Sequence, residues 1–311
     1  MNKNKSIKYS FLLIILIVTA YILANTIPPV SNSKPTIVYH VGEHITVDAD
    51  LITTPNVTDV HQQILTANAG KYPKVLLFPT YEGTWEDEFA WLSNNFGGPN
   101  GIPIMLEVFF PADPIFQLNT TQILATMNIC NVDCLRFAEV YSRCQDFNLT
   151  FPTDYVSEIL NFCRNHNLKL FWTEWKPEAF QAMKTYISGF EDIVTVSFST
   201  NSGEWEPAEG FSYLRSSFLH WGGSVQSWYH ETQIRKQTGS SVINKSESRN
   251  MPISLLIEHA LLCLNMGAEV IQFEPYWYFF GDTDGKAREH LWLMHDALNS
   301  KGIQRFGMQI G

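Results

Sequence analysis

Short apolar runs alternate with amphipathic segments along most of this chain, and this order constrains the fold more than any other feature. Runs with the length and residue types of β-strands are found at residues 36–41, 74–79, 102–110, 168–172, 192–198, 224–228 and 270–273. Segments with helical periodicity are found at residues 57–69, 85–95, 154–167, 177–189, 208–221, 253–266 and 286–299. This alternation predicts an α/β fold in which crossover helices connect the strands of a parallel sheet.

The repeated strand–helix units, together with a weak further strand at residues 303–310, predict a (β/α)8 barrel of the TIM type. A length of 311 residues suits one such barrel or two modest domains. A doubly wound open sheet is the alternative, but no Gly-x-Gly-x-x-Gly motif follows the first strand, which argues against it. We therefore expect one barrel domain over residues 36–311.

A long segment, residues 111–148, separates the third predicted strand from the helix that returns to the barrel. We predict a helix within it at residues 132–143. Four of the five cysteines, Cys130, Cys134, Cys144 and Cys163, lie in or near this segment. They allow up to two disulfides with three pairings open, and no pair of histidines accompanies them as in a zinc site.

Residues 1–35 differ in character from the rest of the chain. Lys3, Lys5 and Lys8 precede an apolar run at residues 11–24, which is shorter than a standard membrane span. The pattern predicts either a signal peptide or a signal anchor, followed by a short linker. In both cases we expect the barrel outside the cytoplasm, either extracellular or attached to the membrane through an uncleaved N-terminal segment.

The charge balance argues against nucleic acid as a partner. The formal net charge is −10 and the calculated isoelectric point is about 5.3, whereas binding to phosphates relies on Lys and Arg. Aromatic residues reach 14% of the chain and include nine Trp. Flat aromatic faces near strand ends suit the binding of sugar rings, so a carbohydrate is the expected partner.

Carboxylates lie beside aromatic residues at the ends of four consecutive predicted strands. The sequences there are WTEW at residues 172–175, EWE at 204–206, WYHE at 228–231 and EPYW at 274–277. In α/β barrels the chemistry takes place at the carboxyl ends of the strands. Hydrolysis of a glycosidic bond needs two carboxyl groups, one of which holds its proton near neutral pH. The pattern therefore predicts a glycoside hydrolase, for which we expect no cofactor and no metal.

Glu174 and Glu274 are the predicted catalytic pair. Glu174 lies between two tryptophans, and apolar neighbours favour a protonated carboxyl, so we expect it to be the general acid. Glu274 is expected to act as nucleophile or base. Glu204 is a further catalytic candidate, whereas Glu206 is better explained as the start of the next helix. Glu107 falls within the third strand and is expected to be a polar group of the barrel interior.

The residues expected to bind the substrate surround these carboxylates. They are Trp172, Trp175, Asn201, Trp205, Trp228, Tyr229, His230, Tyr276 and Trp277. We expect the aromatic members to stack on sugar rings.

The strand-end pattern resembles glycoside hydrolases of clan A, in which the acid glutamate ends strand four and the nucleophile ends strand seven. Counting strands as above puts Glu174 and Glu274 at those places, although Thr173 stands where the clan usually has Asn. The segment GAEVIQFEP at residues 267–275 also resembles glycoside hydrolase family 98, the endo-β-galactosidases. Family 98 inverts and clan A retains configuration, so the two resemblances imply different mechanisms. The family 98 resemblance implies a second base carboxylate, for which Glu231 is the expected position.

Two other classes of function compete with this prediction. A non-catalytic carbohydrate-binding barrel would keep the aromatic residues without a working carboxylate pair. A metal-dependent hydrolase would need clustered histidines and aspartates at strand ends, and only His40 and His230 are suitably placed.

Overall fold

The computed structural model describes residues 35–42, 75–80, 85–111, 115–201, 204–226, 251–274 and 286–304. Residues 1–34 of the predicted signal or anchor segment lie outside this range, as do the predicted helix at 57–69 and most of the predicted strand at 303–310. In the parts that are described, strands and helices alternate as the sequence predicts.

Nine strands are found among the described residues. They are β1 (Thr36–Gly42), β2 (Val75–Thr80), β3 (Gly98–Phe110), β4 (Phe116–Gln117), β5 (Cys130–Ala138), β6 (Lys169–Glu174), β7 (Val194–Ser199), β8 (Trp221–Gln226) and β9 (Val270–Glu274). All except β4 pair in parallel, and β4 pairs antiparallel with the end of β3. Since β9 pairs with β1 and β2 pairs with β3, the eight parallel strands form one curled sheet that returns to its starting point.

Helices cover the outside of the curled sheet. They are α1 (Trp85–Phe96), α2 (Thr120–Ile129), α3 (Val140–Asp146), α4 (Thr153–His166), α5 (Pro177–Tyr186), α6 (Pro207–Ser217), α7 (Ile253–Met266) and α8 (Lys286–Gln304). The main hydrophobic core lies between these helices and the sheet, and Trp172, Phe180 and Phe211 are among its fully buried side chains. The helix predicted at residues 253–266 has those bounds in α7, and Gly267 follows it with a φ of +100°, a conformation that glycine adopts readily.

The sequence prediction is wrong at residues 130–138. The expected helix at 132–143 is instead strand β5 followed by the short helix α3. The strand is half-buried at residues 131–133 and buried at 134–138. Asn131 and Asp133 alternate with apolar residues as in a strand, a signal that the helix prediction overlooks. Because β5 is the fourth strand of the ring, the strand that ends at Glu174 is the fifth and the strand that ends at Glu274 is the eighth.

The strand predicted at residues 224–228 begins three residues earlier, at Trp221. The sequence does not predict this earlier start, because Gly222 and Gly223 lie there and glycine is a weak strand former. A Cβ at position 222 would lie 2.5 Å from the carbonyl oxygen of Val270, and one at position 223 would lie 2.5 Å from Cys263 Sγ. Close packing of β8 against β9 and α7 therefore requires glycine at both positions.

The two faces of the sheet are distinguished by their contacts. Val38, Met105, Cys134 and Phe171, from four different strands, pack together in a small cluster. Side chains from separate strands of a curled sheet meet in this way only on its inner face. Successive side chains of a strand point to opposite faces of the sheet. Residues an even number of positions from a member of this cluster, on the same strand, therefore point inward, and those between them point toward the helices.

All five cysteines are buried and free, so neither of the two disulfides that the sequence allowed is formed. No helix within the described ranges is both long enough and apolar enough to cross a membrane.

Candidate active site

A buried group of charged side chains lies at the carboxyl-terminal end of the inner face. Arg136 of β5 donates hydrogen bonds to Glu107 of β3 and to Glu274 of β9, the latter over 2.9 Å. Gln226 of β8 donates to the same oxygen of Glu274 over 2.8 Å. His40 of β1 is buried nearby and acts electrostatically on Glu274. We call these five residues the mouth cluster.

Glu274 is the member of the mouth cluster that is most suited to act as a base. Its side chain is 21% exposed, whereas that of Arg136 is 3% exposed. Burial alone would raise the pKa of Glu274, but the charge of Arg136 and the hydrogen bond from Gln226 oppose burial, and the pKa is lowered. Glu274 is therefore an ionised carboxylate that retains access to the mouth.

Burial dominates the pKa shifts of Glu107 and His40, the neighbours of Glu274, and favours the uncharged form of each. Burial raises the pKa of Glu107 to about 7, although the charge of Arg136 opposes this shift. Burial also lowers the pKa of His40 to about 4, partly offset by Glu274, so this histidine is neutral at ordinary pH. Two carboxyl groups held by one guanidinium thus have pKa values pushed apart, which is characteristic of sites for acid–base chemistry.

A second strand-end carboxylate, Glu139, lies directly after β5. It forms the junction with α3 and has the left-handed backbone angles φ 53° and ψ 35°. Its carboxylate accepts a hydrogen bond from Arg143 Nε over 2.8 Å, and its side chain is 12% exposed. Its charge, after those of Glu274 and Glu107, raises the pKa of Arg136 against the effect of burial. In the ring of eight strands β5 and β9 are opposite, so the strands that lead to Glu139 and Glu274 end on opposite sides of the mouth.

The structure places Glu174 away from this group. It is in step with Leu170 and Trp172, which belong to the main core between sheet and helices, so it points outward rather than into the mouth. The carboxylate accepts hydrogen bonds from the backbone N–H groups of Tyr141 and Ser142, from Ser142 Oγ and from Trp172 Nε1. Burial raises its pKa to about 7, with these hydrogen bonds opposing. Glu174 has the raised pKa expected of an acid, but it lies on the wrong face to meet Glu274.

Two predicted substrate-binding tryptophans also belong to the core. Trp172 has no exposed surface, so its ring cannot stack on a sugar in this conformation. Trp205 is half-buried against α5 and α6, and its ring stacks on Phe180 at 5.8 Å. Both tryptophans lie on the helix side of the sheet rather than within the mouth.

Other predicted residues lie beyond the strand ends. Trp175 is partly exposed just after β6, with Lys176 Nζ 4.8 Å from the centre of its ring. Asn201 accepts a hydrogen bond from Ser199 Oγ over 2.8 Å. Glu204 is exposed. Glu206 is the N-cap of α6, as predicted.

The remaining predicted site residues lie outside the described part of the chain and stay predictions. They are Trp228, Tyr229, His230, Glu231, Tyr276 and Trp277.

Sequence reasoning missed Arg136, Glu139 and Gln226. The first two were assigned to a helix because the region 130–138 was not recognised as a strand. A carboxylate directly after an apolar run, at Phe137-Ala138-Glu139, is the same signal that identified Glu274, and it would have identified Glu139. No comparable signal marks Gln226, because its role depends on contact with β9.

The inner face carries further polar groups below the mouth. Thr173 Oγ1, Ser197 Oγ and Gln272 Oε1 are buried and have no hydrogen-bond partner among the described residues. Within the same ranges no group of three or more His, Cys, Asp or Glu side chains is placed to hold a metal ion. The polar inner face and the mouth cluster together form a site with hydrogen-bonding capacity and paired charges.

The curled sheet of eight parallel strands places the chain among the α/β proteins that resemble TIM barrels, and comparison with solved structures supports this. The structure is similar to the catalytic module of a family 98 glycoside hydrolase from Streptococcus pneumoniae TIGR4, with a TM-score of 0.58 and 10% sequence identity. The match covers 88% of this chain and 53% of that one, so the chain spans about half the length of the module. The same module in complex with the H-disaccharide blood group antigen matches with a TM-score of 0.56 and 9% identity, over 89% of this chain and 55% of that one. The resemblance to family 98 inferred from residues 267–275 is thus confirmed at the level of the fold.

Enzymes with other chemistry share this fold. The 7,8-dihydropteroate synthase from Vibrio fischeri ES114 matches with a TM-score of 0.52 and 7% identity, over 89% of this chain and 95% of that one. No protein-family model and no curated protein sequence matches the chain. At such identities the similarity defines the fold and not the reaction, which must be argued from the site.

Proposed function

We propose that the chain is a glycoside hydrolase with a (β/α)8 barrel that cleaves a polysaccharide or glycoconjugate. The observation that carries the proposal is a pair of carboxylates at the ends of opposite strands of the ring, Glu139 and Glu274. Glu274 accepts a hydrogen bond from the buried Arg136, and Glu139 acts on the same arginine electrostatically. Two carboxyl groups that face each other across a cleft are what glycoside hydrolysis requires. The fold similarity to a family 98 catalytic module supports the same class of reaction.

Glu274 is assigned the role of base in this proposal. Its lowered pKa keeps it ionised, so it can accept a proton from a water molecule as the water oxygen attacks the anomeric carbon. Glu231, outside the described residues, would assist as a second base. Attack by water on the face opposite the leaving group gives inversion, the outcome that the family 98 resemblance implies.

Glu139 is assigned the role of general acid, in place of Glu174. With β5 counted, Glu139 rather than Glu174 follows the fourth strand, which is the acid position that the clan A resemblance implies. The same count moves Glu274 from the seventh strand to the eighth, away from the nucleophile position of that clan. In this role Glu139, whose side chain is 12% exposed, takes up a proton from solvent before the reaction and donates it to the glycosidic oxygen as the bond to the anomeric carbon breaks. Glu107 is less suited because it lies three residues before the end of β3 and is held by Arg136.

The substrate in this proposal is a carbohydrate, and no nucleic acid is involved. Trp175 is a described aromatic residue that is partly exposed beyond a strand end and could stack on a sugar ring. Trp228 and Trp277 are proposed for the same role. Asn201 would supply a hydrogen bond.

The test is hydrolysis of a panel of glycans by the full chain, followed by kinetics of two variants. Glu139→Gln should lower kcat by about 10²–10⁴-fold on substrates with poor leaving groups, because these need the donated proton, and by less on aryl glycosides with good leaving groups. Glu274→Gln should lower kcat on both kinds of substrate alike, because water activation is needed in each case.

A matched control for both variants is Glu269→Gln, the same chemical change at the opposite end of the strands. Glu269 directly precedes β9 and pairs with His220 over 2.8 Å, so this variant should keep the wild-type kcat. Near-full activity of a folded Glu274→Gln protein would contradict the proposal. If the wild type binds glycans without cleaving any, the alternative of a non-catalytic carbohydrate-binding barrel is favoured instead.

We further propose that the barrel is exported, either secreted or held at the membrane by the N-terminal segment. The support is the lysine-flanked apolar run at residues 11–24. Cells that express the full chain and cells that express a chain lacking residues 1–30 should be fractionated. Export of the full chain alone is the expected result, and finding both forms only in the cytosol would contradict it.

A further inference from the structure

Glu139 has a backbone conformation that its own residue type disfavours. A left-handed conformation costs a residue other than glycine about 1–2 kcal/mol, so the surrounding structure must hold it. One side is held by β6, because the N–H of Glu139 donates to the carbonyl oxygen of Thr173 over 2.8 Å. The other side depends on α3, whose first helical bond runs from the N–H of Arg143 to the carbonyl oxygen of Glu139 over 2.8 Å.

The first turn of α3 lacks the usual cap. In most helices the side chain of the N-cap residue accepts a hydrogen bond from the N–H of the second or third helical residue. Glu139 is the N-cap of α3, yet its side chain makes no such bond and is paired with Arg143 instead. The N–H groups that it would otherwise satisfy are therefore bonded elsewhere.

Glu174 accepts these bonds from the neighbouring strand. Its Oε1 accepts from Tyr141 N over 2.7 Å, and its Oε2 accepts from Ser142 N over 3.0 Å and from Ser142 Oγ over 2.7 Å. Trp172 Nε1 donates to Oε1 over 2.9 Å and holds the carboxylate in place. Glu174 is fully buried, so these contacts are not replaced by solvent.

We propose that Glu174 caps α3 in place of Glu139 and is a positioning residue for it, because it keeps the Glu139 carboxylate off the N–H groups of α3 and with Arg143 as its partner. This inference rests on the proposed function, because it assigns Glu139 to proton donation. If Glu174 were absent, the N–H groups of Tyr141 and Ser142 would compete for the nearest carboxylate, and the carboxylate of Glu139 is the one that an N-cap normally supplies.

The test combines kinetics with amide hydrogen exchange of the full chain. In Glu174→Gln the side-chain amide cannot accept from both sides, so exchange at Tyr141 and Ser142 should rise at least tenfold while exchange in α4 stays unchanged. The kcat on substrates with poor leaving groups should fall at least tenfold, with little change in KM. On activated aryl glycosides kcat should stay within about threefold of wild type, because proton donation matters less there.

This contrast separates positioning from a merely structural role, which would lower the active fraction and thus reduce both rates equally. Equal losses on both kinds of substrate, or unchanged exchange at Tyr141 and Ser142, would overturn the proposal. Should Glu174→Gln fail to fold, Ser142→Ala removes only one of the four donors and should give the same contrast with smaller losses. If the wild type cleaves no glycan, the proposed function is overturned, whereas hydrogen exchange still decides whether Glu174 caps α3.

Discussion

At the level of single residues, Arg136 has the widest consequences for the site. Its guanidinium joins strands β3, β5 and β9 through Glu107 and Glu274. A buried arginine with carboxylates on both sides satisfies its own charge and lowers the pKa of Glu274 against the effect of burial. The protonation state of the proposed base therefore depends on side chains from several strands.

Gln226 allows this dependence to be tested without removing a charge. Its amide donates to Glu274 over 2.8 Å, and this bond is one of the causes that lower the pKa of Glu274. In Gln226→Leu the pKa of Glu274 should rise, so the acid limb of the profile of kcat/KM against pH should move to higher pH.

Ser224→Ala is the matched control for this substitution. The Gln226 amide also donates to Ser224 Oγ over 3.0 Å, so this variant removes a different partner of the same side chain and leaves the bond to Glu274 intact. The acid limb should then stay at its wild-type position. Equal shifts in the two variants, or no shift in Gln226→Leu, would contradict the role assigned to Glu274.

At the level of elements, the junction between β5 and α3 combines strain with the proposed acid. Three residues other than glycine have positive φ in the described chain: Glu139, Asn148 and Asn167. Asparagine tolerates this conformation better than glutamate does. A glutamate at such a position is costly for stability, which is consistent with a functional reason for its presence.

Glu139→Gly should therefore stabilise the fold while it abolishes hydrolysis of substrates with poor leaving groups. Relief of the left-handed conformation favours the variant by about 1 kcal/mol, and loss of the pair with Arg143 costs little because Arg143 is 33% exposed. Urea unfolding monitored by circular dichroism measures the change in stability.

Asn167→Gly, at the end of α4, is the control for this prediction. It relieves the same type of backbone conformation, with φ 56°, at a position away from the proposed site. It should give a smaller gain in stability and keep full activity. A clear loss of stability in Glu139→Gly would show that its side chain, rather than the site, accounts for the glutamate.

At the level of the whole molecule, buried ionisable groups couple the stability of the barrel to pH. Burial raises the pKa of Glu107 from its ordinary value of 4.5 to about 7, opposed by Arg136. The native protein then keeps a proton that the unfolded chain releases. The stabilisation that Glu107 provides is complete below about pH 4.5 and is lost as the pH rises through about 7. The contribution of His40 to stability depends on pH in the opposite way. Burial lowers the pKa of His40 to about 4, so the stabilisation that it provides is lost as the pH falls.

Glu107→Gln should remove the first of these effects. Between pH 5 and 7 the free energy of unfolding of the wild type should fall, relative to that of the variant, by roughly 1–2 kcal/mol. Denaturant unfolding at three pH values in this range measures the difference. The exposed Glu178→Gln variant serves as the control for loss of one carboxylate. A difference between wild type and Glu107→Gln that does not change with pH would contradict the raised pKa of Glu107.

The sequence by itself determined the order of elements and several of their ends. Several elements could be predicted because the spacing of apolar residues and the residues at the ends of an element are local properties of the sequence. They are the strands at residues 36–41, 168–172 and 270–273 and the helix that ends before Gly267. Glu274 could be predicted as a strand-end carboxylate for the same reason, as could Glu107 as a group of the barrel interior.

Only the tertiary structure decided which strand-end residues meet. One unrecognised strand, β5, changed the numbering of every later strand and moved the fourth-strand position from Glu174 to Glu139. Glu174 and Glu274 also lie on different faces of the sheet, and a shift of one residue along a strand is enough to reverse the face. The pairing of Arg136 with Glu274, 138 positions apart in sequence, depends on closure of the sheet between β9 and β1. Closure of the sheet cannot be predicted from local sequence, because closure results from the packing of all eight strands around one inner face.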